Sequence, residues 1–270
     1  MSRLLLTLLA LLSANVYSAP NIVVSIAPIH SIVSNITQSV AEPKLLLKGN
    51  QSAHHAHLVP SQLSMIEQAD LVVIMHPNFE VGLSKSLSQL NTKTVLLVND
   101  GINNHHSWVN IQKMKDFSKK ITDKLSLIDP DNKTIYLANY AKLQQKLTQL
   151  KIDITQVMKN NKHPIASYSN ALEHFIKENR LNQKTLITTK HEERLSIYKI
   201  INAKKSMLSN STKCLISTTS VPIKHINILT EGLEIDVVRI NIMGDEFATG
   251  NNQYFQLMNN ITKKVDQCLQ

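Results

Sequence analysis

Six glycines among 270 residues leave no glycine-rich phosphate cradle, and none of them frames a G-x-S-x-G nucleophile turn. Aromatic residues make up only 4%, with Trp108 the single tryptophan, which excludes a stacking platform for single-stranded nucleic acid. No H-E-x-x-H is present, and no motif singles out a nucleophile or a general-base carboxylate beside an open metal position, as a hydrolase would need. Beyond the N-terminus, no apolar run approaches the roughly 18 residues that a membrane-spanning helix needs. Low-complexity linkers and internal sequence repeats are also missing. The formal charge of +9 and pI near 9.4 come from lysines spread along the chain, which describes a solvated basic surface and not a nucleic-acid interface.

What is present starts with a leader. Arg3, the apolar run Leu4 to Leu12 and the small residues Ser18 and Ala19 make Met1 to Ala19 a secretory signal peptide. Pro20 disfavours cleavage directly before it, so a cut after Ser18 is one expectation. No cysteine lies near the cut, which argues against a lipid anchor, and the expected location is the periplasm. The two cysteines, Cys214 and Cys268, form an even count in an exported chain and favour one disulfide; two buried free thiols are the alternative.

The remainder alternates. Runs rich in β-branched residues at Ile22–Ile26, Lys44–Leu47, Leu71–Met75 and Thr94–Val98 are interleaved with helical patterns at Ser31–Val40 and Pro60–Gln68, which argues for βαβ units and parallel sheets. From Pro130 to about Asn160, apolar residues at Ile135, Leu143, Leu147, Leu150, Ile154 and Val157 predict one long amphipathic helix. Alternation then resumes, with strands at Ile165–Tyr168, Leu186–Thr189, Cys214–Thr218 and Ile235–Ile240 and helices at Asn170–Glu178, Glu192–Ile200 and Asn252–Cys268. The expected architecture is α/β: two halves with mainly parallel sheets, over 20–129 and 161–270, joined by a long helix over 130–160.

Eight of the 11 histidines follow strands. His30 follows the first run; His54, His55 and His57 follow the second; His76 follows the third; His105 and His106 follow the fourth; His191 follows a strand of the second half. Open parallel sheets bind ligands beyond the carboxyl ends of their strands, and neutral imidazole is a common ligand for zinc, copper and nickel. Any one of these histidines could equally cap a loop. Their joint placement points to a transition-metal site.

At these residues the chain resembles a known family. Ser25-Ile-Ala-Pro-Ile-His-Ser-Ile-Val, Glu42-Pro-Lys-Leu-Leu-Leu, Ser52-Ala-His-His-Ala-His-Leu-Val-Pro-Ser61 and Ala69-Asp-Leu-Val-Val look like periplasmic zinc-binding proteins of the ZnuA type. The family pattern S-x-H-x-x-x-L-x-P-S makes His54 the counterpart of its first ligand, and the H-x-W of His106-Ser-Trp108 supplies the second. Ile111 stands where a proline is common. The resemblance also implies two Rossmann-like lobes joined by a long rigid helix with the metal cleft between them, the C-terminal helix and the Cys214–Cys268 disulfide.

The chain departs from the pattern at the other two ligands. Where the family has Y-H-D-A, this sequence reads Tyr168-Ser-Asn-Ala, placing Ser169 at the ligand position. Where the family has L-D-P-L-G, it reads Ile240-Asn-Ile-Met-Gly244, placing Asn241 there. The long His-rich loop of many zinc members is absent. A closed tetrahedral zinc site wants four good donors, so His76 and His30 are the candidates to replace the missing ones, and Asp245 and Glu246 could reach in if their loop folds back. Manganese prefers carboxylate oxygens, and both expected carboxylate positions are neutral, which puts Zn2+ ahead of Mn2+ as cargo. The resemblance implies a monomeric solute-binding protein, not an enzyme, that hands its metal to an ABC-type permease with a cytoplasmic ATPase. The alternatives are a divergent paralogue serving as a periplasmic metal chaperone or buffer uncoupled from import, and an exported metallohydrolase using Asp245 or Glu246.

Overall fold

The computed structural model describes residues 19–48, 51–89, 94–97, 105–189 and 195–270. The leader and His191 lie outside them. In the first half, β1 (Ile22–Val24), β2 (Lys44–Leu45), β3 (Leu71–Ile74) and β4 (Val95–Leu97) form one parallel sheet in the order β2-β1-β3-β4. In the second, β5 (Ile165–Ser167), β6 (Gln183–Leu186), β7 (Cys214–Thr218) and β8 (Asp236–Ile240) repeat that order as β6-β5-β7-β8, again parallel. The central strands β1, β3, β5 and β7 are buried at every residue. This explains why β1 and β3 read as unbroken apolar runs: a parallel strand covered on both faces has no solvent side to alternate with.

Helices α1 (Ala27–Ile36), α2 (Pro60–Glu67), α3 (Val81–Leu87) and α4 (Ile111–Ile128) accompany the first sheet, and α6 (Glu173–Glu178), α7 (Ile197–Ser209), α8 (Ile223–Thr230) and α9 (Gln253–Cys268) the second. Between them α5 (Lys133–Met158) runs 26 residues, about 39 Å at 1.5 Å per residue. Pro130 begins a 3₁₀ turn that leads into it. None of the described helices is long and apolar enough to cross a membrane.

Several elements differ from the sequence reading. The long α4 is absent from that reading, although Ile111, Met114, Phe117, Ile121 and Leu125 recur at spacings of three and four, and Asn110 caps it by accepting from the Lys113 N–H at 2.8 Å. The short α3 and α8 were likewise read through. α1 starts four residues before the expected Ser31, because Pro28 suits its first turn. β6 begins at Gln183 and not Leu186, with a register shift at Ile165/Ala166 in the neighbouring strand. α7 starts at Ile197, where the Ser196 hydroxyl accepts from the Lys199 N–H.

The two halves share a core. One continuous apolar cluster runs from Ile22 to Leu269 and includes side chains of α1, α4, α5 and α9. A smaller cluster under α7 and α8 covers the other face of the second sheet. α9 packs on α1 as well as on β8, and the contact is also polar. The Asn251 carbonyl accepts from the Ser31 hydroxyl (3.1 Å) and the Asn35 amide (2.7 Å), and the Tyr254 N–H donates to the Ser31 hydroxyl. Cys214, at the start of β7, is bonded to Cys268 at the end of α9.

Candidate metal centre

Both sheets point their carboxyl ends at one cavity of about 410 Å³. From the first half it is lined by Gln51, Ser52, Ala53, His54, Phe79, His106 and Trp108. From the second it is lined by Thr218, Thr219, Ser220, Asn241, Ile242, Met243 and Asp245. This is the cleft that strand polarity predicts.

His54 sits on the loop between β2 and α2, and Gln62 and Gly82 fix that loop. The Gln62 amide donates to the Leu46 carbonyl at 2.7 Å and to the Gln51 side chain at 3.2 Å, while its oxygen accepts from the Val59 N–H. Gly82, in α3, lies so close to the loop that a Cβ there would fall 2.0 Å from the Ala56 carbonyl oxygen. Only glycine lets the helix approach the backbone this closely. His106 immediately precedes a 3₁₀ turn over Ser107–Val109 and is buried. Trp108 anchors that turn across the cleft: its indole N–H donates to the Ile242 carbonyl at 2.7 Å, and the Tyr254 hydroxyl donates to the Trp108 carbonyl at 2.9 Å.

The result is a pair of imidazoles with ring centroids 5.5 Å apart. Two imidazoles sharing one zinc through Zn–N bonds of about 2.0–2.1 Å have centroids about 5.2 Å apart at a tetrahedral angle, close to what is observed. Phe79 stands edge-on to both, 4.5 Å from His54 and 5.3 Å from His106, and Trp108 lies 5.2 Å from His106 and from Phe79. Sequence reasoning missed Phe79; its role depends on packing between separate loops, and no motif marks it. Directly after it, Glu80 is fully buried and accepts the His76 backbone N–H at 3.0 Å, and burial pushes its carboxyl up to about 7.

The other expected donors fall elsewhere. Ser169 is buried beside a separate small void with Ser167, Ser217 and Thr218, and does not line the cleft. His30 turns its Nε2 to the Pro43 carbonyl at 2.8 Å and lines a different cavity, at Glu42 and Asn251. Its location inside α1, and not beyond the strand end, accounts for this; burial holds its pKa below the usual histidine value. His76 stacks on His105 at 4.0 Å and accepts the Asn78 N–H, also outside the cavity lining. His105 has its pKa lowered by burial and then by the neighbouring His76 and His174 charges. His55 and His57 are exposed.

Asn241 does reach the cavity, but its oxygen is occupied: it accepts from the Met243 N–H (3.0 Å) and the Gly244 N–H (3.2 Å). Its amide donates to Asp245, whose carboxyl is pushed up by burial and by Glu246. Glu246 is engaged by Asn260. Among the described residues, no three His, Cys, Asp or Glu side chains already stand together as a metal-holding group. The cleft therefore has a nitrogen-donor wall facing a wall of hydroxyls, amide and one carboxylate.

The chain resembles known proteins over most of its length. The model of the family ZnuA, "Zinc-uptake complex component A periplasmic", matches residues 22–268. The high-affinity zinc uptake system protein ZnuA of Brucella abortus is 24% identical, over 92% of this chain and 91% of that protein. The manganese ABC transporter substrate-binding lipoprotein PsaA of Streptococcus pneumoniae is 26% identical, over 48% of this chain and 50% of that one. In structure, the solute-binding protein FpvC of Pseudomonas aeruginosa, solved with Ni2+, superposes with a TM-score of 0.82 at 16% identity, covering 93% of this chain and 96% of that one. The chain thus belongs to the ZnuA family of solute-binding proteins, which are transport components and not enzymes.

Proposed function

We propose that this chain captures a divalent transition metal in the cleft, zinc before manganese, and delivers it in the periplasm to an ABC-type permease driven by a cytoplasmic ATPase. One observation carries the reading: two imidazoles from separate strand ends meet at 5.5 Å on the wall of an inter-lobe cavity. The names of the relatives, which speak of zinc, manganese and nickel, support a divalent metal as cargo. The choice of zinc rests on the donors, since nitrogen ligands suit zinc and a lone carboxylate suits manganese poorly.

In this mechanism His54 and His106 bind in their neutral forms, so protons compete with the metal and acid favours release. Phe79 and Trp108 hold the two rings in place and keep one side of the site apolar. The shared core limits how far the lobes can part, so closure is a small approach of the second wall and not a wide hinge swing. A storage or chaperone role uncoupled from import is the second reading, favoured by the weak donors of that wall; metal-dependent binding to the permease separates the two.

Calorimetry on metal-stripped protein tests the proposal. Wild type should take up zinc at a single site, and His54→Ala or His106→Ala should each weaken it by roughly a hundredfold or more, since loss of a supporting partner alone costs about 10–100-fold. No zinc heat in wild type, or unchanged heat in the double variant, sinks the reading.

A further inference from the structure

We infer that the carboxylate of this cleft has moved along the chain, and that Asp245, not residue 241, is the cargo ligand of the second wall. This rests on the reading of the cleft as a divalent-metal site. Two oxygen-bearing side chains on the loop after β8, Asn241 and Asp245, line the cavity, and they are not equivalent. The Asn241 side-chain oxygen, the atom by which an asparagine would ligate, already accepts two backbone N–H groups, from Met243 and Gly244. That makes residue 241 the anchor of a tight turn, a common use of asparagine. The turn brings the chain back on itself, so that the Asn241 amide donates to Oδ2 of Asp245 at 3.3 Å and both residues line the cavity that holds His54 and His106.

The loop is fastened on its far side too. Gly244 has φ +70°, a conformation that favours glycine, and a Cβ there would fall 2.4 Å from the Gln253 amide nitrogen. The fully buried Gln253 amide donates to the Met243 carbonyl at 2.7 Å and the Gly244 carbonyl at 3.1 Å. The Ile242 carbonyl takes the Trp108 indole N–H at 2.7 Å, tying the same turn to the loop that carries His106. The Asp245 carboxylate is thus presented by a braced turn whose brace includes the opposite lobe. A divalent ion seated on two neutral imidazoles keeps its full charge of +2, and among the described residues the one acidic side chain lining the cavity is Asp245. Closure of the cleft over the ion brings that carboxylate in as a third ligand. Asn241 is then a positioning residue that holds Asp245 by its amide.

The test uses metal-stripped full-length protein, zinc competition against a chromophoric chelator, and Co2+ absorption as a report on ligand type. Asp245→Asn should weaken zinc by at least about tenfold and change the Co2+ ligand-field bands. The double variant Asp245→Asn/Asn241→Asp, which returns a carboxylate to residue 241 while keeping an oxygen for the turn, should recover part of the lost affinity. An Asp245→Asn protein with wild-type affinity and wild-type Co2+ bands overturns the assignment while leaving the metal reading intact. Weakened binding with unchanged bands shows that Asp245 only supports the loop and also overturns it. Wild-type protein that takes up neither ion overturns the reading beneath it.

Discussion

The two halves have the same strand order yet offer the cleft opposite chemistry. Beyond the strands of the first sheet stand His54, Phe79, His106 and Trp108; beyond those of the second stand Thr218, Ser220, Asn241 and Asp245. One wall supplies nitrogen donors on braced loops, the other hydroxyl, amide and carboxylate oxygens, the last two on a braced turn. A duplicated scaffold therefore does not imply a duplicated role: in the proposed reading the first half supplies the nitrogen ligands, and the second half closes over the cargo with one carboxylate.

The comparison can be sharpened from the stability side first. The disulfide closes a separation of 54 residues in the second half, and a loop of that length is worth about 4 kcal/mol in the chain-entropy account. Cys214→Ala/Cys268→Ala should lower the thermal midpoint by roughly 10 °C while leaving zinc affinity nearly unchanged, because neither residue nears the cleft. Calorimetric scans with and without reductant check the first part, and a large affinity loss would break the proposed division of labour. Gly82→Ala tests the other half. Its Cβ meets the Ala56 carbonyl, which cannot yield without moving the His54 loop, so a stability cost of about 1–3 kcal/mol should come with a clear loss of zinc binding, read by denaturant melts and chelator competition.

A third effect is smaller and depends on pH. Burial depresses the pKa of His30, so the unfolded chain takes up a proton at pH values where the folded chain does not. Stability from this group is present above the unfolded pKa of about 6.5 and is lost as pH falls below it towards the lower folded value. Urea midpoints should drop between pH 7.5 and 5.5 in wild type and drop less in His30→Gln. Smallest of all, Ser169→Ala should shift zinc affinity by less than about twofold, within the roughly 0.5 kcal/mol expected for changes away from a site. A tenfold loss there would return residue 169 to the ligand set.

Much of this was legible from residue order. Parallel strands buried on both faces leave a plain signature, and Cys214–Thr218 can be read to the residue. His54 and His106 were found because a short motif and a strand end coincide. α4 was missed although its spacing is helical, because its many lysines mask an apolar stripe that only the packing against α5 makes decisive. His30 and His76 were drawn toward the site by their positions after strands, but a side chain's direction depends on its helix and neighbours, not on sequence distance. The turn that presents Asp245 was out of reach, since it is held by Gln253 and Trp108 from other parts of the chain.

The closing helix has a consequence for how the molecule comes into being. α9 belongs to the second half by sequence but packs on α1 of the first, and one apolar cluster runs from residue 22 to residue 269. A nascent chain that lacks its last helix leaves the fully buried α1 without part of its cover. The packing of the first half is therefore complete only with α9 in place, since the same helix supplies the Tyr254 hydroxyl that holds the Trp108 carbonyl beside the cleft.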